Sequence, residues 1–171
     1  TISVSEDATL NVLLAGTDVD GDGLTHAVVS GPAHGSLSGT APSLVYLPNA
    51  NYNGADAFTF TASDGTLVSS TATVAITVQP VNDLPVALGQ AIVTNENIPV
   101  SLKLAGTDID GDSLAYYIDV APLHGVLTGT SPNLIYTPDD DYSGIDSFSF
   151  YVSDGNAISN SANVTVQILD F

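Results

Sequence analysis

The chain is 171 residues long and carries 19 Asp and Glu against one basic side chain, Lys103, for a formal net charge of −18. Nucleic acid and anionic membrane surfaces repel such a polyanion, while 44 % apolar residues set it apart from a disordered acidic tail. Cys is absent, which excludes disulfides, thiolate nucleophiles and zinc–thiolate centres, and no apolar run approaches the ~20 residues that cross a bilayer.

The first predicted elements are short strands near residues 2–4 and 9–14, followed by the turn around Gly21 and Gly23 and a strand over 24–29. Gly31-Pro32 and Gly39 punctuate the next stretch, with strands near 35–38 and 43–47. Two longer strands close the pattern. Phe58, Phe60 and Ala62 alternate with Thr59 and Thr61 in a strand over 56–62, and Val74, Ile76 and Val78 alternate with Ala75 and Thr77 in one over 72–79. That period of two puts the apolar residues on one face of each strand. No helical periodicity of useful length is present. Seven short strands with regular turn signals predict an all-β fold, a Greek-key β-sandwich.

The whole pattern then repeats. Residues 1–81 align without a gap on 91–171: Ala15-Gly16-Thr17-Asp18-Val19-Asp20-Gly21-Asp22 returns as Ala105-Gly106-Thr107-Asp108-Ile109-Asp110-Gly111-Asp112, and Ser63-Asp64-Gly65 returns as Ser153-Asp154-Gly155. A copy of this length can enclose its own core, so the reading is two domains rather than two solenoid turns. The expected boundaries are repeat 1 over 1–80, a linker over 81–85 and repeat 2 over 86–171. Prolines at Pro80 and Pro85 stiffen the connector. The chain opens at Thr1 inside a strand-like pattern, as a segment of a longer protein would. Its Thr, Ser, Gly and Asp-rich composition reads as secreted.

The acid lies at strand ends and turns. Asp18, Asp20 and Asp22 alternate in a glycine-bearing turn, as do Asp108, Asp110 and Asp112. Carboxylates so close repel by ~1 kcal/mol per pair at 4 Å even in water, and a cation that neutralises them removes the penalty. Ca²⁺ suits such a cluster because it takes six to eight oxygen ligands and tolerates irregular geometry. A solvated polar turn is the alternative. An EF-hand is excluded: Val29 stands where the loop needs its final Glu, Ser113 replaces the glycine of the second copy, and the flanks are strands.

Other residues point away from catalysis. His34 and His124 sit in Pro32-Ala33-His34-Gly35 and Pro122-Leu123-His124-Gly125 with no nucleophile at repeat-equivalent spacing, which favours a structural turn role. His26, matched by Tyr116, reads as incidental. Tyr46, Tyr136, Tyr52 and Tyr142 could stack on a sugar, but closure of the sandwich edge by a hydrogen-bonded hydroxyl is the favoured role. Paired acids raise the possibility of a glycosidase, yet the acidic motifs occur in duplicate whereas an active site usually occurs once. No enzyme activity and no catalytic residue are expected.

These motifs together resemble cadherin repeats. Thr107-Asp108-Ile109-Asp110-Gly111-Asp112 is similar to their D-x-D segment, Glu96-Asn97-Ile98-Pro99 to their early E-N-x-P, Ala62-Ser63-Asp64-Gly65 to A-x-D-x-G, and Pro80-Val81-Asn82-Asp83-Leu84-Pro85 to the interdomain linker. Pro-x-His-Gly, Tyr-x-Pro and Gly-x-Asp-x-Phe-x-Phe resemble the cadherin-like repeats of large bacterial surface and secreted proteins. The resemblance implies tandem cadherin-like, immunoglobulin-like β-sandwiches with Ca²⁺ at the junction of consecutive repeats. It assigns Glu6 and Asp56 of repeat 1, Asn82 and Asp83 of the linker, and Asp108, Asp110 and Asp154 of repeat 2 to one such junction. Asp18, Asp20 and Asp64 would serve a preceding junction, and Glu96 and Asp146 a following one.

Two departures stand out. Asn51-Tyr52-Asn53 and Asp141-Tyr142-Ser143 occupy the family's D-R-E position, and the linker is one acid poorer. The ion count therefore stays open between one or two per junction and a local ion in each D-x-D-G-D turn. The implied function is a calcium-binding tandem repeat that rigidifies an extracellular adhesion or surface protein, partnered by neighbouring repeats. A carbohydrate-binding accessory module of a secreted polysaccharide-degrading enzyme is the alternative.

Overall fold

The computed structural model describes residues 1–170. The chain forms two compact units, Thr1–Val81 and Asn82–Phe171. Among the described residues every regular element is a strand. Unit 1 contains β1 (Ile2–Ser5), β2 (Leu10–Leu13), β3 (Thr25–Ser30), β4 (Gly35–Thr40), β5 (Ser43–Pro48), β6 (Gly54–Ser63) and β7 (Ala72–Gln79). All seven fall where the alternation of apolar residues and the turn signals place them.

The strands of unit 1 form two sheets, ordered β1-β7-β6-β3 and β2-β5-β4. β4–β5 and β6–β7 are antiparallel neighbours in sequence, whereas β1 lies parallel to β7 with Ile2 opposite Ile76 and Val4 opposite Val78. Period-two patterning decides what faces inward. Phe58 and Phe60 of β6 meet Ile76 and Val78 of β7 from one sheet, and Val12, Leu44 and Tyr46 from the other. Their outward neighbours Ala55, Ala57, Thr73 and Ala75 are exposed.

Unit 2 repeats this plan and extends it. Its strands are β8 (Val86–Leu88), β9 (Gln90–Asn95), β10 (Val100–Lys103), β11 (Ala105–Thr107), β12 (Ala115–Val120), β13 (Gly125–Thr130), β14 (Asn133–Pro138), β15 (Gly144–Ser153) and β16 (Ala162–Leu169). The sheets are β12-β15-β16-β9 and β10-β14-β13, with β9 parallel to β16. A short antiparallel ribbon joins β8 to β11, two strands that the alternation pattern does not reveal. The core gathers Leu104, Tyr136, Phe148, Phe150, Val152 and Val166, each at most 2 % exposed.

The expected five-residue linker divides. Val81 belongs with unit 1, where its amide donates to Glu6, and Asn82 and Asp83 belong with unit 2, where their side chain and backbone bond the acidic loops. Among the described residues no helix is long and apolar enough to cross a membrane.

Candidate functional site

The acidic loops of unit 2 gather at one end of that repeat. Asp108 follows β11 and its Oδ1 accepts the Asp112 amide at 3.0 Å, which closes the turn while Gly111 takes φ 82°. Such a left-handed φ costs glycine little. Asp110 Oδ2 accepts the Asp83 amide at 2.8 Å, and Asp154 Oδ2 accepts Nδ2 of Asn82 at 2.9 Å. Asn156 in turn donates to Asn82 Oδ1 at 3.0 Å. Asp154 Oδ1 caps its own turn through the Asn156 and Ala157 amides, both at 2.6 Å. The Ala157 amide and the Asn82 side chain hold the Asp154 carboxyl below the usual carboxylate range, so it stays ionised. The Asp112 side chain is exposed; what it contributes is its amide.

Asp108 Oδ2 is buried and receives no hydrogen bond among the described residues. Leaving a buried acceptor of this kind unsatisfied costs about 1–3 kcal/mol, more for a charged oxygen. A hard cation satisfies such an oxygen as a donor would.

The counterpart loops of unit 1 are built alike. Asp18 Oδ1 accepts the amides of Asp20 at 2.9 Å and Asp22 at 3.1 Å, and Asp64 Oδ1 accepts those of Thr66 and Leu67 at 2.6 and 2.7 Å. Those two amides hold the Asp64 carboxyl low, the Leu67 amide contributing most. Asp18 and Asp64 line one surface depression with Leu24, Ala62 and Ser69.

The opposite end of unit 1 carries Glu6. Its backbone amide bonds the Gln79 carbonyl at 2.9 Å, which continues the β1–β7 ladder, and its Oε1 accepts the Val81 amide at 2.6 Å. The side chain is only 2 % exposed, yet Oε2 receives no donor among the described residues. Glu96 is its counterpart in unit 2: its amide bonds the Leu169 carbonyl at 2.9 Å and its side chain is half-buried. Among the described residues no three His, Asp or Glu side chains stand close enough to form a cation cage on their own. Any ion would complete its shell with amide or carbonyl oxygens, which Ca²⁺ accepts.

Asp56 and Asp146, which the resemblance assigns to junction ions, each accept a set of hydrogen bonds inside their own repeat. Asp56 Oδ1 accepts the Ala33 and Ala57 amides at 2.9 and 2.8 Å, and Oδ2 accepts the His34 amide at 3.0 Å and the Tyr46 hydroxyl at 2.7 Å. Four donors match the four acceptor positions of a carboxylate. Asp146 repeats the arrangement with Leu123, Ser147, His124 and Tyr136. Burial raises the pKa of either carboxyl, but the tyrosine hydroxyl and the three amides outweigh it and both end below the usual range. Burial, and next the bond to the carboxylate, push the Tyr46 and Tyr136 hydroxyls well above the usual tyrosine value, so they remain donors.

The same constellation explains the turn motifs. A Cβ on Gly35 would lie 2.5 Å from the Tyr46 ring, and one on Gly125 equally close to the Tyr136 ring. His34 stacks on Tyr52 and His124 on Tyr142, with ring centroids 4.1 Å apart in each pair. The histidines therefore have the structural turn role expected of them.

The comparisons with known proteins agree with this architecture. The family described as bacterial Ig domain matches residues 1–77 and again 82–167. "Integrin beta-like protein A" of Dictyostelium discoideum is 32 % identical over 188 residues, covering 96 % of this chain; the chain spans 9 % of that protein's length. Among solved structures, human mucin-like protocadherin EC1-2 is 16 % identical with a TM-score of 0.56, covering 99 % of this chain and 96 % of that one. Human protocadherin-24 EC1-2 is 13 % identical at the same TM-score, covering 99 % and 93 %. The endo-fucoidan hydrolase MfFcnA4 of glycoside hydrolase family 107 is 26 % identical with a TM-score of 0.42, covering all of this chain and 27 % of that one. With β1 beside β7, β9 beside β16 and a cadherin-like sandwich in each half, the chain belongs to the bacterial Ig domain family as two tandem members.

Proposed function

We propose that the chain is a pair of calcium-binding repeats of an extracellular surface or adhesion protein, in which Ca²⁺ stiffens the succession of repeats. The observation that carries the reading is the state of Glu6. A carboxylate 2 % exposed, with Oε2 lacking a donor, is expensive to hold unless a cation satisfies it. Asp108 Oδ2 supports it from the other repeat. Glu6 in unit 1, and Asn82, Asp83, Asp108, Asp110 and Asp154 in unit 2, would supply hard oxygen ligands, and Asp18, Asp20 and Asp64 are the corresponding set of repeat 1. Asp22, Asp112 and Glu96 stand in a supporting position. With one basic side chain in the whole chain, little internal positive charge offsets these acids. The chain itself catalyses nothing in this reading; it is a spacer whose rigidity depends on the ion.

Calorimetric titration of chelator-stripped protein with Ca²⁺, paired with melting curves in Ca²⁺ and in EDTA, tests the reading. Heat of binding and a higher melting temperature in Ca²⁺ are expected; the absence of both overturns it. The second reading, a carbohydrate-binding accessory module, is favoured by one observation. Tyr117 and Tyr151 stack at 5.3 Å on the outward face of β12 and β15, where unit 1 has Ala27 and Thr61. Retention on insoluble polysaccharide, lost in Tyr117→Ala, is its test.

A further inference from the structure

The two repeats differ at one place where their sequences are identical. Ala15-Gly16-Thr17 and Ala105-Gly106-Thr107 each follow a buried leucine, Leu14 or Leu104. In unit 2 the tripeptide is β11, antiparallel to β8, with Ala105 opposite Leu88, Gly106 opposite Ala87 and Thr107 opposite Val86. A Cβ on Gly106 would sit 3.0 Å from the Val86 carbonyl oxygen, so the glycine permits the close approach of the second backbone. β8 packs on β15 and β16, and Ala87 joins Leu114 and Tyr116 against the core.

In unit 1 the same tripeptide is not a strand, and among the described residues it makes no hydrogen bond. The neighbours of Gly16 are the side chains of Leu24, Ala62 and His26 instead of a second backbone. The core thins beneath it: Phe60 is 9 % exposed where Phe150 is 0 %, and Leu24 and His26 are outside the core that their counterparts Leu114 and Tyr116 join. Both ring nitrogens of His26 are buried without a partner among the described residues. The acidic loops differ in the same sense. Asp110 and Asp154 receive the Asp83 amide and the Asn82 side chain, whereas among the described residues Asp20 and Asp64 Oδ2 receive no equivalent donor.

We infer that the Ala15–Thr17 edge of unit 1 is a docking site for an extended segment with the chemistry of Asn82–Leu88. An Asn-Asp pair would seat on the loops of Asp20 and Asp64, a proline would follow, and a Val-Ala-Leu strand would add antiparallel to Ala15–Thr17. Unit 2 shows what such an occupant looks like when it is in place, down to the apolar side chain it inserts over the sheet. The edge is recognised by backbone pairing, as in other cases of strand addition, and the inference does not depend on a bound cation.

The test is a chain in which residues 82–90 are duplicated immediately before Thr1, studied in EDTA so that calcium binding plays no part. Amide exchange at Ala15, Gly16 and Thr17 should slow by at least about tenfold, toward the rates at Ala105–Thr107. The melting transition of unit 1 should rise by about 4–8 °C. A second version carries Ala87→Pro in the added copy only; proline cannot complete the ladder, and the gain should vanish. Unchanged exchange at Ala15–Thr17 in the first version, or an undiminished gain in the proline version, overturns the inference.

Discussion

The Tyr46 hydroxyl donates to Asp56 Oδ2 over 2.7 Å, and Tyr136 makes the same bond to Asp146 over the same distance. One bond joins the two sheets of each sandwich, since Tyr46 belongs to β5 and Asp56 to β6. The carboxylate also ties down the turn before β4 through the Ala33 and His34 amides. Removing the hydroxyl with Tyr46→Phe should cost about 1–3 kcal/mol, because a buried ionised acceptor loses a donor. Asp56→Asn should cost more, since its amide group turns a donor toward other donors. Urea denaturation of the two variants, read at the transition of unit 1, gives the order.

The same carboxylates set a pH dependence. Asp56 and Asp146 have folded-state pKa values below that of an ordinary aspartate, so the unfolded chain takes up protons first as the pH falls. The stability they contribute is therefore complete above the unfolded pKa and is lost as the pH drops through the folded one. Relief of the general negative charge on acidification acts in the opposite direction. A comparison of the wild-type chain with Asp56→Asn plus Asp146→Asn separates the two. The difference in melting temperature should be constant from about pH 5 to 7 and shrink below about pH 4.

Gly35 and Gly125 should be intolerant of the smallest side chain. A methyl group at either would fall 2.5 Å from a tyrosine ring, and at Gly35 it would also lie 2.7 Å from the Leu47 carbonyl oxygen. Gly35→Ala and Gly125→Ala should each cost about 1–3 kcal/mol of the affected unit's stability, measured by denaturant unfolding. Alanine at Gly23, which has open space around it and no left-handed φ, should be close to neutral and serves as the control.

How much of this was legible beforehand follows from what each signal measures. Alternation reports which face of a strand is buried, and it located both long strands of each repeat, down to Phe58, Phe60, Ile76 and Val78. The β8–β11 ribbon escaped because three residues are too few for a period, and because Ala15–Thr17 carries the same letters without forming a strand. The hydrogen-bond role of Asp56 is hidden for another reason. The resemblance implies a cation for it, and the alternation that buries Phe58 and Phe60 also turns Asp56 inward, toward hydrogen-bond donors. Reading that acid as part of the buried face would have found its role. The D-x-D turns were visible as clusters; their dependence on backbone amides for closure was not, since spacing says nothing of which oxygen an amide finds.

Calcium binding should be separable by repeat. Glu6→Gln removes the charge at a buried, under-satisfied oxygen, so in EDTA it should leave unit 1 as stable or make it more so. In Ca²⁺ the same variant should lose most of the ion-dependent gain, which for a saturating ligand at a hundred times Kd is about 2.7 kcal/mol. Asp108→Asn should behave likewise for unit 2. Melting curves of both variants with and without the ion provide the check, and a gain that survives both substitutions would assign the ion to other residues.

The parallel pairing of β1 with β7, and of β9 with β16, bears on how each sandwich meets tension. Strands that run side by side in one direction admit the chain at one pole and release it at the other. A pull along the chain then loads every rung of that ladder together in shear, whereas an antiparallel terminal pair would open rung by rung. Single-molecule stretching should register a high rupture force for each sandwich, and removal of Ile2–Ser5 should lower it for the first alone.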